Sequence, residues 1–168
     1  MSVIVEPNLI NPTLLIRGMG RVVEVLCQMA RTLNFKVIVQ TDEGEKERFP
    51  EASNVITDPL ELDDIDQHLD YFILATHHRN DDKVAFEALK RGIPYVGVVA
   101  SAKKTGIIKD YLIKNGISDG ELGNFFSPTG LDLKAKTPEQ IAMSIVAEMV
   151  MLANSGSGEQ MRTLVSSL

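Results

Sequence analysis

Polar and apolar positions along this chain fall into two kinds of block. Short apolar runs occupy Thr13 to Arg17, Lys36 to Gln40, Asn54 to Ile56, Tyr71 to Ala75 and Pro94 to Val99. The run from Tyr71 to Ala75 has no polar alternation, which marks a strand buried on both faces of a parallel sheet. Between the runs lie longer stretches with helical spacing. From Arg21 to Leu33 the apolar residues Val22, Leu26, Met29 and Leu33 recur once per turn. Asp81 and Asp82 stand where a cap is needed for a helix with the face Val84, Ala85, Ala88 and Leu89, and Gly92 stops it. Ser101 is placed to cap a helix running to about Lys114, before Asn115 and Gly116 end it. Thr137-Pro138-Glu139-Gln140 has the form of a capping box with proline at the first helical position. The helix that follows, Ile141 to Leu152, is apolar on nearly every side except at Glu148.

This alternation of strand and helix predicts an α/β protein with a Rossmann-like, doubly wound, mainly parallel sheet in three layers, α/β/α. One domain is expected over residues 1–153 and a flexible tail over 154–168, opened by the Ser/Gly linker Asn154 to Gly158. Thr41 to Pro50 and Gly116 to Gly130 read as loops, and the acidic run Glu61 to Asp66 as a solvated turn or short helix. The helix from Ile141 to Leu152 carries more apolar surface than one sheet face covers, so a two-fold homodimer is expected.

Open α/β sheets bind ligands outside the carboxyl ends of their strands. Gly18-Met19-Gly20 sits there, between the first strand and the helix opening at Arg21, where a close backbone and free N–H groups suit a phosphate. Position three of the dinucleotide pattern G-x-G-x-x-G falls on Val23, and the ribose-binding acidic position falls near Thr41, with Asp42 one place later. The loop is therefore a phosphate-binding candidate that departs from standard NAD recognition. Thr76, His77 and His78 follow the strand Tyr71 to Ala75, and the same crevice should contain His77. With no paired carboxylate or nucleophile beside it in the readable motifs, His77 is expected to hold ligand rather than to transfer protons.

Composition narrows the setting. A formal net charge of −6 argues against a general nucleic-acid binder. The single cysteine, Cys27, has no partner for a disulfide or thiolate metal site, and its spacing from Val23 and Ala30 makes it a buried structural thiol. No apolar run approaches the roughly 20 residues that span a bilayer, and the first residues lack a secretory pattern, so a cytoplasmic protein without membrane contact is expected.

Several blocks resemble the C-terminal Rossmann domain of the XdhC/CoxI family, maturation factors of xanthine dehydrogenase and carbon monoxide dehydrogenase. They are Gly18-Met19-Gly20, Glu47 to Ala52, Thr76-His77, Tyr95 to Gly97, Ser101 with Lys104, and above all Pro128-Thr129-Gly130-Leu131-Asp132 followed by Thr137 to Ala142. The resemblance implies a protein, more maturation factor than enzyme, that binds molybdenum cofactor and assists its insertion or sulfuration in an apo-molybdenum hydroxylase. It adds Ser101, Lys104, Pro128 and Gly130 to the candidate contacts and makes Arg21, which stands where the family has histidine, a phosphate fork. Arg79 stands where the family has its second histidine. The family's N-terminal domain is not in this sequence, so a separate subunit carrying it is an expected partner. An NAD(P)-binding oxidoreductase and a nucleotide-sensing module are the alternatives.

Overall fold

A computed structural model describes residues 11–57, 62–76 and 80–165. The strands are β1 (Thr13–Gly18), β2 (Lys36–Gln40), β3 (Asn54–Ile56), β4 (Tyr71–Ala75), β5 (Tyr95–Val98) and β6 (Phe125–Phe126). All pair in parallel, in the order β3-β2-β1-β4-β5-β6. The sequence runs predict the first five. The sixth strand lies in the stretch expected to be loop, and is a two-residue rung that exists only through its pairing with β5.

Side-chain alternation along the strands feeds two cores. Leu14, Ile16, Val37, Val39 and Ile73 face one, with α1 (Arg21–Thr32) and α5 (Pro138–Ala153) over it. Leu15, Ile38, Phe72, Leu74 and Val96 face the other, under α2 (Asp81–Lys90) and α3 (Ala102–Lys114). This is the expected three-layer Rossmann-type α/β arrangement. The sheet reverses its direction of growth between β1 and β4, which places the crevice at their carboxyl ends.

At α2 the expected cap does not form, because the N-cap position is Asn80, without a side-chain cap hydrogen bond, and Asp81 and Asp82 are the first two helical residues. The caps expected at the other two helices do form. Ser101 accepts from the Lys104 N–H at the start of α3, and Thr137 and Gln140 make the reciprocal capping box of α5 with Pro138 in the first turn. The buried face of α1 is the one the spacing of Cys27 from Val23 and Ala30 implies, and it departs from the once-per-turn series at Leu33. Val23, Leu26, Cys27 and Ala30 face the core, whereas Leu33 is exposed. The helix serves two surfaces, the sheet and α5, so its apolar residues cover a broad arc and a single stripe does not locate its centre. Cys27 is buried as expected.

Three stretches expected as loop or tail contain short helices. Glu43–Arg48 is a 3-10 helix tied down by Arg48, whose guanidinium meets Glu24 at 2.5 Å and Glu45 at 2.8 Å. α4 (Asp119–Leu122) has a capping box built on Ser118 and Glu121, and α6 (Met161–Val165) lies beyond the Ser/Gly linker. The acidic run contains a 3-10 helix at Leu62–Asp64, with Leu62 and Ile65 buried. Arg91 there donates to the carbonyls of Leu62, Ile65 and Gln67. α5 buries Ala142, Ser144, Ile145, Val146 and Met149, leaving Met143, Val150 and Leu152 exposed. Met143 and Val150 line an open apolar groove of about 740 Å³ with Met29 of α1, Leu33 just past its end, and Met161 and Leu164 of α6. Among the described residues no helix is long and apolar enough to cross a membrane.

Candidate functional site

The carboxyl ends of β1, β2, β4 and β5 bring most of the sequence-derived candidates to one edge of the sheet. Gly18 pairs with Ala75 across β1 and β4. A Cβ on Gly18 would stand 2.3 Å from the Ala75 carbonyl oxygen, so this glycine is required by strand packing. A bulky residue at this position would therefore disturb the sheet as well as the loop. Gly20 is different. Nothing lies within 4 Å of its added Cβ, and its φ of 86° and ψ of −176° belong to a region that only glycine occupies readily. It turns the chain into α1 with open space beside the helix N-terminus, and Met19 between the two glycines is 40% exposed.

Arg21, the first residue of α1, does not stand free as a phosphate fork. Its guanidinium donates to Glu139 at 2.8 Å and to Glu24 at 3.2 Å, and the hydrogen bond to Glu139 is the main reason its acidity is further weakened. Glu24 also meets Arg48, so charges alternate in a ladder of Arg21, Glu24, Arg48 and Glu45 along the rim. Beside it, Thr41 follows β2 in the register that pairs Arg17 with Gln40, which puts it next to Gly18. The Thr41 N–H donates to the Ile56 carbonyl at 3.0 Å. Among the described residues its buried Oγ1 has no hydrogen-bond partner, an arrangement that native proteins seldom leave unexplained. Asp42, by contrast, is exposed, ahead of the 3-10 helix.

On the other side of the crevice the chief finding is Asp81. Its side chain is only 4% exposed, and it accepts from the Thr76 hydroxyl and from the Lys104 ammonium. Thr76 is itself buried, whereas Lys104 keeps 31% of its side chain exposed. Ser101 is occupied as the α3 cap. His77 and His78, with Arg79, lie outside the described residues.

The segment around Pro128 is clamped from several directions. Ser127 and Thr105 share a hydroxyl hydrogen bond at 2.7 Å, the Ser127–Pro128 peptide is cis, and the Thr129 N–H donates to Val98 at 3.0 Å. Glu148 accepts from the Tyr95 phenol at 2.6 Å and from the Gly130 N–H at 2.9 Å. Burial, followed by the hydrogen bond to Glu148, pushes the Tyr95 phenol far above its ordinary range. The absence of a side chain at Gly130 is accounted for by packing, since a Cβ would meet Ser144 Oγ at 2.5 Å. Among the described residues no group of three or more histidine, cysteine, aspartate or glutamate side chains could hold a metal ion.

A family model described as the XdhC Rossmann domain matches residues 14–149. The chain belongs to that family. The Escherichia coli K12 protein YqeB is 25% identical to this XdhC domain over 164 residues, covering 94% of this chain and 30% of its own length. A probable xanthine dehydrogenase subunit from Bacillus subtilis is 32% identical over 155 residues, 87% of this chain and 43% of its own. A crystal structure described as a xanthine dehydrogenase from Bacillus halodurans matches with a TM-score of 0.72 and 29% identity, over 88% of this chain and 44% of that one. The chain spans less than half the length of each of these proteins.

Two members of the XdhC domain's edge escape a reading of the sequence. Asp81 reads there as an ordinary helix cap, because its burial depends on α3 lying beside α2. Glu148 gives a signal, being the charged residue on an otherwise apolar helix, but the signal does not name its partners Tyr95 and Gly130.

Proposed function

We propose that this XdhC domain binds molybdenum cofactor, as the phosphorylated pterin or its dinucleotide form, and assists its insertion or sulfuration in a molybdenum hydroxylase of the xanthine dehydrogenase kind. The observation that carries the binding half is the unpartnered Thr41 hydroxyl beside the open N-terminus of α1. A ligand with a phosphate and several hydroxyl or ring-nitrogen groups fits that combination: backbone donors and the helix dipole take the phosphate, and Thr41 Oγ1 gains the partner it lacks. The family and the relatives named for xanthine dehydrogenase support the delivery half. His77, next to Thr76, is proposed as a further ligand contact.

The domain's own task in this reading is binding, orientation and hand-over, with the apo-hydroxylase as recipient. Association through the exposed apolar face of α5 is part of the proposal, most simply with a second copy, and light scattering at low micromolar concentration reads it directly. A separate subunit carrying the family's other domain is the alternative occupant. An NAD(P)-binding role has one specific observation in its favour, the strand order β3-β2-β1-β4-β5-β6 common to dinucleotide folds. Against it stand Thr41 at the acidic ribose position and the core residue Val23 in the place of the third glycine. Native mass spectrometry of protein taken from its own host separates these readings. A pterin phosphate mass carried by the protein supports the proposal, and a nicotinamide dinucleotide in its place overturns it.

A further inference from the structure

We infer that α6 is exchanged between two copies of the chain, each laying the stripe Met161, Leu164 and Val165 into the apolar groove that the other copy leaves open along α1 and α5. The inference rests on the self-association proposed above and assigns the element that makes it. Two features of one chain carry it. The open groove of about 740 Å³ is walled by Met29 of α1 and by Met143, Val146 and Val150 of α5, and no described residue fills it. α6 has the opposite defect. It is five residues long, with Met161 74% and Val165 64% exposed, and helices this short hold together only where packing covers an apolar face. Met161, Leu164 and Val165 stand at i, i+3 and i+4, on one face of the helix. The same molecule therefore offers an empty groove and an uncovered helix, which is the self-complementarity that a two-fold contact requires.

Within its own copy α6 does not close over the groove, because the linker is folded back on α5. The Gly156 N–H donates to the Met151 carbonyl at 2.8 Å. Gly158, at a φ of 75°, lies so near Met151 that an added Cβ would stand 2.9 Å from its sulfur. α6 is thereby held beside the groove, with Met161 and Leu164 on its edge. Charge favours a second copy as the occupant. Among the described residues that line the groove the single charged one is Glu159, and the single charged residue of α6 is Arg162. A two-fold pairing sets Glu159 of each copy against Arg162 of the other, so the favourable contact occurs twice. Arg162 donates from Nε to Gln160 at 2.7 Å, and a guanidinium has five N–H donors, enough to serve a carboxylate as well. An acyl chain with an anionic head would meet the wrong sign at Glu159.

Analytical ultracentrifugation of the full chain, from low to high micromolar concentration, reads the association. The parent should be a dimer. Met161→Asp places an unpaired charge in both grooves and should raise the dissociation constant at least about a hundredfold. Met161 is exposed in a single copy, so this variant should keep the parent's circular dichroism, and Met161→Ser replaces it if it does not. Glu159→Arg and Arg162→Glu should each weaken the dimer about tenfold, because each brings like charges together twice. Mixed with one another, the two single variants should recover the parent affinity as a heterodimer, since both contacts then join opposite charges. Mixing cannot restore a contact made within one chain. A dimer unmoved by the change at Met161, or charge reversals that have no effect or that mixing does not rescue, would overturn the exchange of α6 and leave self-association standing. A monomer throughout the concentration range would overturn both, and leaves the cofactor reading to its own ligand assay.

Discussion

Gly18→Ala adds a single methyl group where β1 lies against β4. That methyl carbon would stand 2.3 Å from the Ala75 carbonyl oxygen, 2.8 Å from its carbonyl carbon and 3.2 Å from its Cβ. Two of those atoms are backbone, and β4 is held between β1 and β5, so no side-chain rotation relieves the contact. Overpacking of this kind costs about 1–3 kcal/mol. The φ of +154° adds strain for an L residue, of about 1–3 kcal/mol by the general scale for sparsely populated backbone regions. A total loss of about 2–6 kcal/mol follows, and for a chain of this length each kcal/mol moves the melting temperature by about 2–4 °C. Gly106→Ala supplies the control of opposite sign. Gly106 lies inside α3 with nothing within 4 Å of an added Cβ, so alanine there should stabilise by about 0.5–1 kcal/mol. Urea unfolding of the two variants and the parent, with the slopes compared, measures both. A Gly18→Ala protein within about 0.5 kcal/mol of the parent, the usual range for inconsequential surface changes, would refute the packing argument.

Further outcomes follow from single groups. Burial pushes the Cys27 thiol up to about 11, so a thiol reagent at pH 8 should label it only after denaturant is added, and rapid labelling of native protein would contradict its place in the core. Hydrogen bonds from the Ser118 backbone N–H and then from Lys90 hold the Glu121 carboxyl down at about 2. Its folded value lies below its unfolded one, so the stability it contributes is present above about pH 4.5 and is lost as pH falls toward 2. The gap in urea midpoint between parent and Glu121→Gln should close over that window, and a gap independent of pH would contradict the assignment. Tyr95→Phe removes a donor to the Glu148 carboxylate and should cost about 1.5–3 kcal/mol in urea unfolding, whereas a neutral change would mean that the clamp on Gly130 is incidental.

The sheet was legible because buried parallel strands have to be apolar on both faces. Leu14 to Ile16, Val37 to Val39 and Phe72 to Leu74 are almost fully excluded from solvent. Helix starts were legible because Ser101, Thr137 and Gln140 solve a local problem, the free N–H groups of a first turn. Features that depend on partners distant in sequence were not. Phe125 and Phe126 form a strand only beside β5, the centre of α1 moves because α5 lies over it, and Asp81 is buried because Lys104 arrives from the next helix. Thr41 was legible by position as the place where an acidic residue was expected. Its unpartnered hydroxyl became visible only with β3 paired alongside β2 and the backbone N–H taken by Ile56.

The central claim is that a phosphorylated pterin binds at the switch point with its phosphate on the α1 N-terminus. Fluorescence titration of the protein with the phosphorylated pterin released from a denatured molybdenum hydroxylase tests it most directly, alongside the same pterin after phosphatase treatment and NAD. The account predicts saturable binding of the phosphorylated pterin, at least about tenfold weaker binding once the phosphate is removed, a difference of ~1.4 kcal/mol, and still weaker binding of NAD. Equal affinity with and without the phosphate, or a preference for NAD, would contradict it.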